Sequence, residues 1–199
     1  MPLPTENLRS PAALARFLLT TVIGLGLDLW TKQVAFVRLA AGEPYQGLGR
    51  DGRVHWFVDS RADLVAAKGY HVIPGFLHFH VTVNEGAVFG LGQGHRWLFL
   101  VISVAAIGFL TYLFAASGRQ RFYQFILGML LAGVLGNMYD RFSFGYVRDM
   151  IYAVPRWGVF LWIFNVADVL LCVGVGLIFV YSLLHMRTPE ATAGKASTV

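Results

Sequence analysis

Charge is scarce in this sequence. Lys, Arg, Asp and Glu supply 14% of its 199 residues, whereas hydrophobic residues supply 56%. Soluble domains carry about a quarter charged residues, so this is the composition of a membrane protein. Cysteine is nearly missing too. The single Cys172 lies in an apolar run, which excludes a disulfide framework within the chain and reads as a small core residue. The common hydrolytic and metal signatures are absent: no His-Glu-x-x-His, no Gly-x-Ser-x-Gly, and Ser103 as the only serine in a clean span. His78 and His80 share a strand face, but two histidines without a third ligand read as polar surface rather than a metal site. The net charge of +5 does not point to nucleic acid. Arginines at the ends of spans follow from the preference for positive cytoplasmic loops.

What is abundant is long apolar sequence. Crossing a bilayer takes about 20 mostly apolar residues, and four segments qualify. The first runs from about Ala12 to Trp30 and continues as helix toward Leu39. The second is Trp97 to Ala116, without a charge. The third is Phe122 to about Tyr139, and the fourth is Val159 to Leu184 with Asp168 as its one charged residue. The polar stretch Met1 to Pro11 runs into a full-length span, so nothing there reads as a cleavable signal.

An even number of spans puts both termini on one side. Arg119 and Arg121, the N-terminal Arg9 and Arg16, and the C-terminal Arg187 and Lys195 then share the cytoplasm. The loops at about 40–96 and 140–158 face outward, although the first also holds Arg50, Arg53, Arg61 and Lys68. The chain reads as one four-span domain over 1–187, followed by a small polar tail, 188–199, predicted to be disordered in the cytoplasm.

The first outer loop has form of its own. Leu77, Phe79, Val81 and Val83 alternate with His78, His80, Thr82 and Asn84, which argues a strand with one apolar and one polar face. Asn84-Glu85-Gly86 breaks it. The fold class is therefore an all-α membrane protein, four transmembrane helices with a small extracytoplasmic β platform and a loop insertion. That insertion, about Gly47 to Gly75, contains no motif and is expected to be dispensable for chemistry.

Ionisable groups in or beside spans each need an explanation. Asp28 and Lys32, four apart on one helical face, read from spacing as a snorkelling interfacial pair. Asn137, Asp140 and Arg141 share a face at the end of the third span, where Asp140 and Arg141 suit a pair that ties down a loop. Upstream, Gly128, Ala132 and Gly136 form a small-residue stripe that admits another helix closely. Asp168, nine residues into the fourth span with Asn165 on the same face, is either a buried acid satisfied by a base such as Arg141 or a carboxyl aimed into a polar cavity. Asp149 and Asp168 bracket a turn with Pro155 and Gly158 that can bring them together. Two close carboxyls cannot both ionise easily, which supplies a general base and a general acid.

These motifs, taken in order, resemble the lipoprotein signal peptidase (signal peptidase II) family. Asp28-Leu-Trp-Thr31-Lys32 is similar to its first motif and Asn84-Glu-Gly86-Ala-Val-Phe89-Gly90 to its second. Ala-Gly133-Val-Leu-Gly136-Asn137-Met-Tyr-Asp140-Arg141 is similar to the third, Val147-Arg-Asp149-Met to the fourth, and Phe164-Asn165-Val-Ala167-Asp168 to the fifth. The resemblance implies an intramembrane aspartyl endopeptidase of the bacterial inner membrane with Asp149 and Asp168 as its catalytic pair. It implies that Asn84, Gly86, Asn137, Asp140, Arg141 and Asn165 shape the pocket, and that Asp28 and Lys32 support its far wall. The implied substrate is a diacylglyceryl-modified prolipoprotein cut before its lipidated cysteine, with no metal or organic cofactor. Membrane lipids and a globomycin-type inhibitor are the other implied partners. Arg148 departs from the family pattern, which usually has an apolar residue there; an extended backbone would turn it away from Asp149. The competing reading is a small proton-coupled transporter or channel subunit, disfavoured by the lack of an inverted repeat.

Overall fold

The computed structural model describes residues 7–39, 46–48, 54–56, 70–74, 76–86, 92, 94–153 and 163–186. Its helices are α1 (Pro11–Leu39), α2 (Arg96–Ala116), α3 (Arg121–Ser143) and α4 (Val166–Met186), and each is long and apolar enough to cross a membrane. The strands are β1 (Gln46–Leu48), β2 (Val54–Trp56), β3 (Tyr70–Ile73), β4 (Leu77–Asn84), β5 (Val147–Ala153) and β6 (Ile163–Phe164). The expected tail, 188–199, lies outside the described residues, as does much of the 40–96 loop.

The helix α3 is the hub. Half of its most apolar window is buried, against at most 28% for any other span, and it packs on all three of them. Elsewhere the large side chains face outward, among them Val22 and Ile23 on α1, Val101 and Phe109 on α2, and Val175 and Phe179 on α4. Lipid is as apolar as these residues, so close backbone approach must hold the helices together. The small-residue stripe provides it. A Cβ on Gly128 would sit 2.7 Å from the Phe17 carbonyl oxygen, and one on Gly136 would strike the Asp28 carboxylate. Ala132 meets Gly24 between them, so the stripe tracks α1 for two turns. On another face, a Cβ at Gly133 would lie 2.7 Å from the Ala167 carbonyl oxygen of α4. At the end near the chain start, Phe17 and Phe114 stack at 4.2 Å and bind α1 to α2 within the apolar core.

At the other end a four-stranded antiparallel sheet, ordered β3-β4-β5-β6, lies against α1. β1 and β2 form a separate hairpin. The strand expected from Leu77 is present, but its two faces are not those of simple alternation. His78 pairs with Tyr152 and Thr82 with Asp149, because one extra residue of β4 is accommodated between Phe79 and Thr82. Paired residues share a face, and Asp149 and Tyr152, three apart, point to opposite sides. The bulge thus moves Thr82 and Asn84 onto the Asp149 face and leaves His78 with Tyr152 on the other, 6.3 Å ring to ring. The Tyr70–Ile73 part of the expected insertion forms the edge strand of this sheet rather than lying apart from it.

The fourth span starts later than expected. Ile163 and Phe164 pair with Tyr152 and Ile151 as β6, and the helix begins only at Val166. Asp168 is therefore in the first turn of α4, not nine residues into the span. Hydropathy does not distinguish a short apolar strand from the start of an apolar helix.

Candidate active site

Three helix ends and the sheet converge on one polar cluster. Asn165, just before α4, is its centre. The side-chain oxygen of Asn165 accepts the Asp168 N–H at 3.0 Å, and the Asn165 N–H donates to Asp168 Oδ2 at 3.2 Å. That reciprocal pair is a capping box, with an aspartate in the usual place of glutamate. Asn165 Nδ2 in turn donates to Asp149 Oδ1 at 2.6 Å and to Asn137 Oδ1 at 3.2 Å. Asn137 Nδ2 donates to the remaining oxygen, Asp168 Oδ1, at 2.8 Å. One residue, Asn165, thus bonds both carboxyls, Asp149 through its side-chain amide and Asp168 through its backbone N–H, and the Asn137 carboxamide locks it in place.

The two acids differ in environment. Asp149 is 2% exposed, while Asp168 is half-buried. Burial first, and then the negative charge of Asp168, push the Asp149 carboxyl up to about 8, against the opposing pull of hydrogen bonds from Asn165 and Asn84 and of the Lys32 charge. Asn84 reaches Asp149 from β4, while its Oδ1 accepts the Gly86 N–H at 3.0 Å in the turn that ends the strand. The Gly86 carbonyl accepts Arg141 Nη2 at 2.8 Å. Arg141 lies over the Phe99 ring at 4.8 Å, and its Nε is buried without a hydrogen-bond partner among the described residues.

Beneath the acids runs a chain of buried charges. Lys32 Nζ meets Asp28 Oδ2 at 2.8 Å, Asp140 Oδ2 at 3.2 Å and Asn137 Oδ1 at 3.2 Å. Asp28 Oδ1 accepts the Ala167 N–H at 2.8 Å, which ties α1 to the first turn of α4. Asp28 and Lys32 are fully buried, so they are not a snorkelling surface pair. The close seat of α3 against α1 at Gly136 encloses them. Asp140 is not tied to Arg141 either. Its partner is Arg148, whose Nη2 and Nε donate to Asp140 Oδ1 at 2.8 and 3.1 Å and whose backbone N–H donates to Oδ2 at 2.9 Å.

All ten expected site residues gather here, in two layers: Asn84, Gly86, Asn137, Arg141, Asp149, Asn165 and Asp168 around the acids, with Asp28, Lys32 and Asp140 behind them. Asp168 is satisfied by Asn137 and Asn165, not by Arg141. Sequence reasoning noted Arg148 only as a departure from the family pattern and missed its pairing with Asp140 and its second partner Gln33, 3.2 Å from Nη1. The available signal was a full charge beside Asp149 in an otherwise apolar strand. Such a residue is tolerated only if something buried answers it.

Comparisons with known proteins identify the family. The profile of the family described as signal peptidase (SPase) II matches residues 20–184. The chain belongs to the signal peptidase II family. A lipoprotein signal peptidase of Listeria welshimeri is 36% identical over 139 residues, covering 69% of this chain and 88% of the relative. One from Symbiobacterium thermophilum is 35% identical over 143 residues, covering 68% and 88%. A solved structure described as a bacterial membrane enzyme, determined by the in meso method at 2.3 Å resolution, aligns with a TM-score of 0.67 at 27% identity. The alignment covers 90% of this chain and 94% of that one. Membership of the signal peptidase II family makes the protein a protease, and the transporter reading has no support. Every motif residue from Asp28 to Asp168 falls within the part of the chain that the family profile matches.

Proposed function

We propose that this protease is an aspartyl endopeptidase that removes signal peptides from diacylglyceryl-modified prolipoproteins, cutting before the lipidated cysteine. Asp149 and Asp168 are its catalytic pair. The observation that carries the reading is that one residue, Asn165, holds both carboxyls, the buried Asp149 by its side-chain amide and the half-buried Asp168 by its backbone N–H.

The environments divide the labour. With its carboxyl pushed up to about 8, Asp149 carries a proton at neutral pH and hydrogen-bonds the scissile carbonyl. Asp168 receives N–H groups on both oxygens in the first turn of α4, where the helix field favours negative charge. It takes a proton from water as the water attacks the carbonyl carbon. The proton then on Asp168 passes to the departing amine, while Asp149 takes back its own as the carbonyl re-forms. Water and two carboxyls suffice, so the reaction calls on no metal or organic cofactor. Asn84, Gly86 and Arg141 line the substrate strand, and the unpartnered Arg141 Nε is a donor left for a substrate carbonyl. Asp28, Lys32 and Asp140 support this layer from behind. The same pocket is where a globomycin-type inhibitor would compete. In this reading both termini lie in the cytoplasm and the sheet and dyad at the outer face of the inner membrane, within reach of a lipid-anchored substrate; the basic residues Arg16, Arg119 and Arg121 at the opposite end of the bundle support that orientation.

The test is turnover of a lipidated prolipoprotein by purified Asp149→Asn and Asp168→Asn variants. Each should lose cleavage while still binding uncleaved substrate, and the double variant should be no worse than either, since the pair acts as a unit. Near wild-type turnover in either variant would sink the assignment.

A further inference from the structure

The end of the bundle remote from the acids carries a second built feature. A cavity of about 290 Å³ opens between the start of α1 and the α2–α3 turn, lined among others by Asn7, Ser10, Arg16, Arg119, Arg121 and Gln124. Three arginines face it, and among the described residues no acidic one lines it. Among the described residues, no carboxylate pairs with any of the three. Arg16 is not a loose surface side chain. Its Nε and Nη2 donate to Gln124 Oε1 at 3.1 and 3.0 Å, and Gln124, fully buried, anchors itself by donating to the Gly118 carbonyl at 2.8 Å. The other wall is fixed as well. Buried Asn7 donates to the Phe114 carbonyl at 3.1 Å and to Ser117 Oγ at 3.0 Å. A guanidinium held in place by a neutral amide keeps its full charge and its outer N–H groups for something else. Concentrated positive charge with no counter-ion among the described residues suits an external anion, and a planar guanidinium suits phosphate oxygens.

We infer that this cavity binds a phosphate anion, and that its source is the headgroup of an anionic phospholipid such as one bearing phosphoglycerol. Position and surroundings favour the lipid over free phosphate. The cavity lies at the ends of membrane-spanning helices, at the depth of headgroups. Beside it, Leu8 and Phe122 are exposed at 45% and 52%, an apolar margin that acyl chains cover and a soluble anion does not need. Its volume is at the small end of ligand sites, enough for a headgroup rather than a whole lipid.

The experiment uses the full chain in neutral detergent. Native mass spectrometry reads retention of phosphatidylglycerol against phosphatidylcholine, and thermal unfolding is followed in parallel with each lipid and with inorganic phosphate. Each basic side chain near a headgroup is worth roughly a factor of five in affinity. Wild type should prefer phosphatidylglycerol, and Arg119→Ala with Arg121→Ala should weaken that binding by about 25-fold while leaving unfolding without lipid unchanged. Both side chains are exposed, so the variant should fold. Arg16→Gln is the independent second variant, removing the held guanidinium, and should also lose the preference. Equal retention of the two lipids by wild type, or an undiminished preference in both variants, would overturn the site. Protection by inorganic phosphate equal to that by phosphatidylglycerol would overturn the lipid as its source. Cleavage activity is not a readout here, so failure leaves the reading of the acids standing.

Discussion

Replacing Arg148 by Met separates positioning from chemistry, because Arg148 touches neither Asp149 nor Asp168 yet anchors the strand that carries Asp149. Its side chain makes two charged hydrogen bonds to Asp140 Oδ1, at 2.8 and 3.1 Å, and one to Gln33 at 3.2 Å, and its guanidinium lies 4.5 Å over Phe144. Methionine keeps much of the apolar contact with Phe144 and Phe36 and removes the charge. Stripping one partner from a buried ion pair costs about 3–5 kcal/mol when the other is stranded. Asp140 is not stranded: Lys32 remains at 3.2 Å and the backbone N–H of residue 148 at 2.9 Å. The loss should sit at the lower end, about 3 kcal/mol. For a chain of this size that lowers Tm by roughly 6–12 °C. With its clamp gone, β5 shifts against α3, and a shift of even 1 Å between reacting groups costs about 100-fold in rate. Thermal unfolding in detergent and prolipoprotein cleavage read the two effects. We expect lower Tm and a kcat reduced about 10- to 100-fold with KM nearly unchanged, and partial rescue by Arg148→Lys. Because both residues act on one contact, Arg148→Met and Asp140→Asn together should cost less than their sum. Unaltered Tm and kcat in Arg148→Met would refute the clamp.

Removing the other partner should be worse. Asp140→Ala leaves Arg148 without a carboxylate and Lys32 with that of Asp28 alone, so folded protein in the membrane and cleavage should fall together, measured by detergent-extracted yield and turnover; a well-folded variant that binds substrate without turning it over would point to direct chemistry at Asp140. In the proposed mechanism the pair of acids works with one proton, so cleavage should decline as pH rises through about 8, where the buried Asp149 ionises beside Asp168. A rate that stays flat to pH 10 would contradict that assignment. Gly133→Val places methyl groups against the Ala167 carbonyl, where even a Cβ would sit at 2.7 Å, and should separate α3 from α4 with loss of both Tm and activity; a tolerated Val there would mean that this close approach is not needed.

The spans and the motif residues were legible because each rests on a local property. Twenty apolar residues mark a helix in lipid whatever packs on them, and the Gly128–Ala132–Gly136 spacing marks a close face whichever helix fills it. The features that stayed hidden depend on partners distant in sequence. Period two predicted the β4 strand but not the bulge, which exists only against β5 and carries Thr82 and Asn84 to the Asp149 side. Asp28 and Lys32 share one helical face in any environment; they are buried because α3 closes on α1 at Gly136 and Ala167 donates from α4. The start of α4 was legible and overlooked. Asn165 followed three residues later by Asp168 is a capping-box spacing, and it places the helix start at Val166 despite apolar residues on both sides.

The buried charges explain why the acids lie where the helices end rather than within them. Asp28, Lys32, Asp140 and Arg148 bring two acids and two bases together, and beyond the Asp28–Lys32 pair within α1 the links join different pairs of elements: α1 to α4, α1 to α3, α3 to β5. Buried ion pairs contribute little net stability, because desolvation offsets the attraction. Their effect is on geometry. Each charge must find its partner, and that requirement admits one arrangement of α1, α3, α4 and β5, whereas apolar side chains sliding in lipid would admit several. Asn137 sits on the upper edge of this frame, accepting from Lys32 below and donating to Asp168 above. The frame's single register is thereby handed to the acids. A site that must hold two carboxyls close, one buried and one open to water, needs that fixed spacing more than it needs added stability.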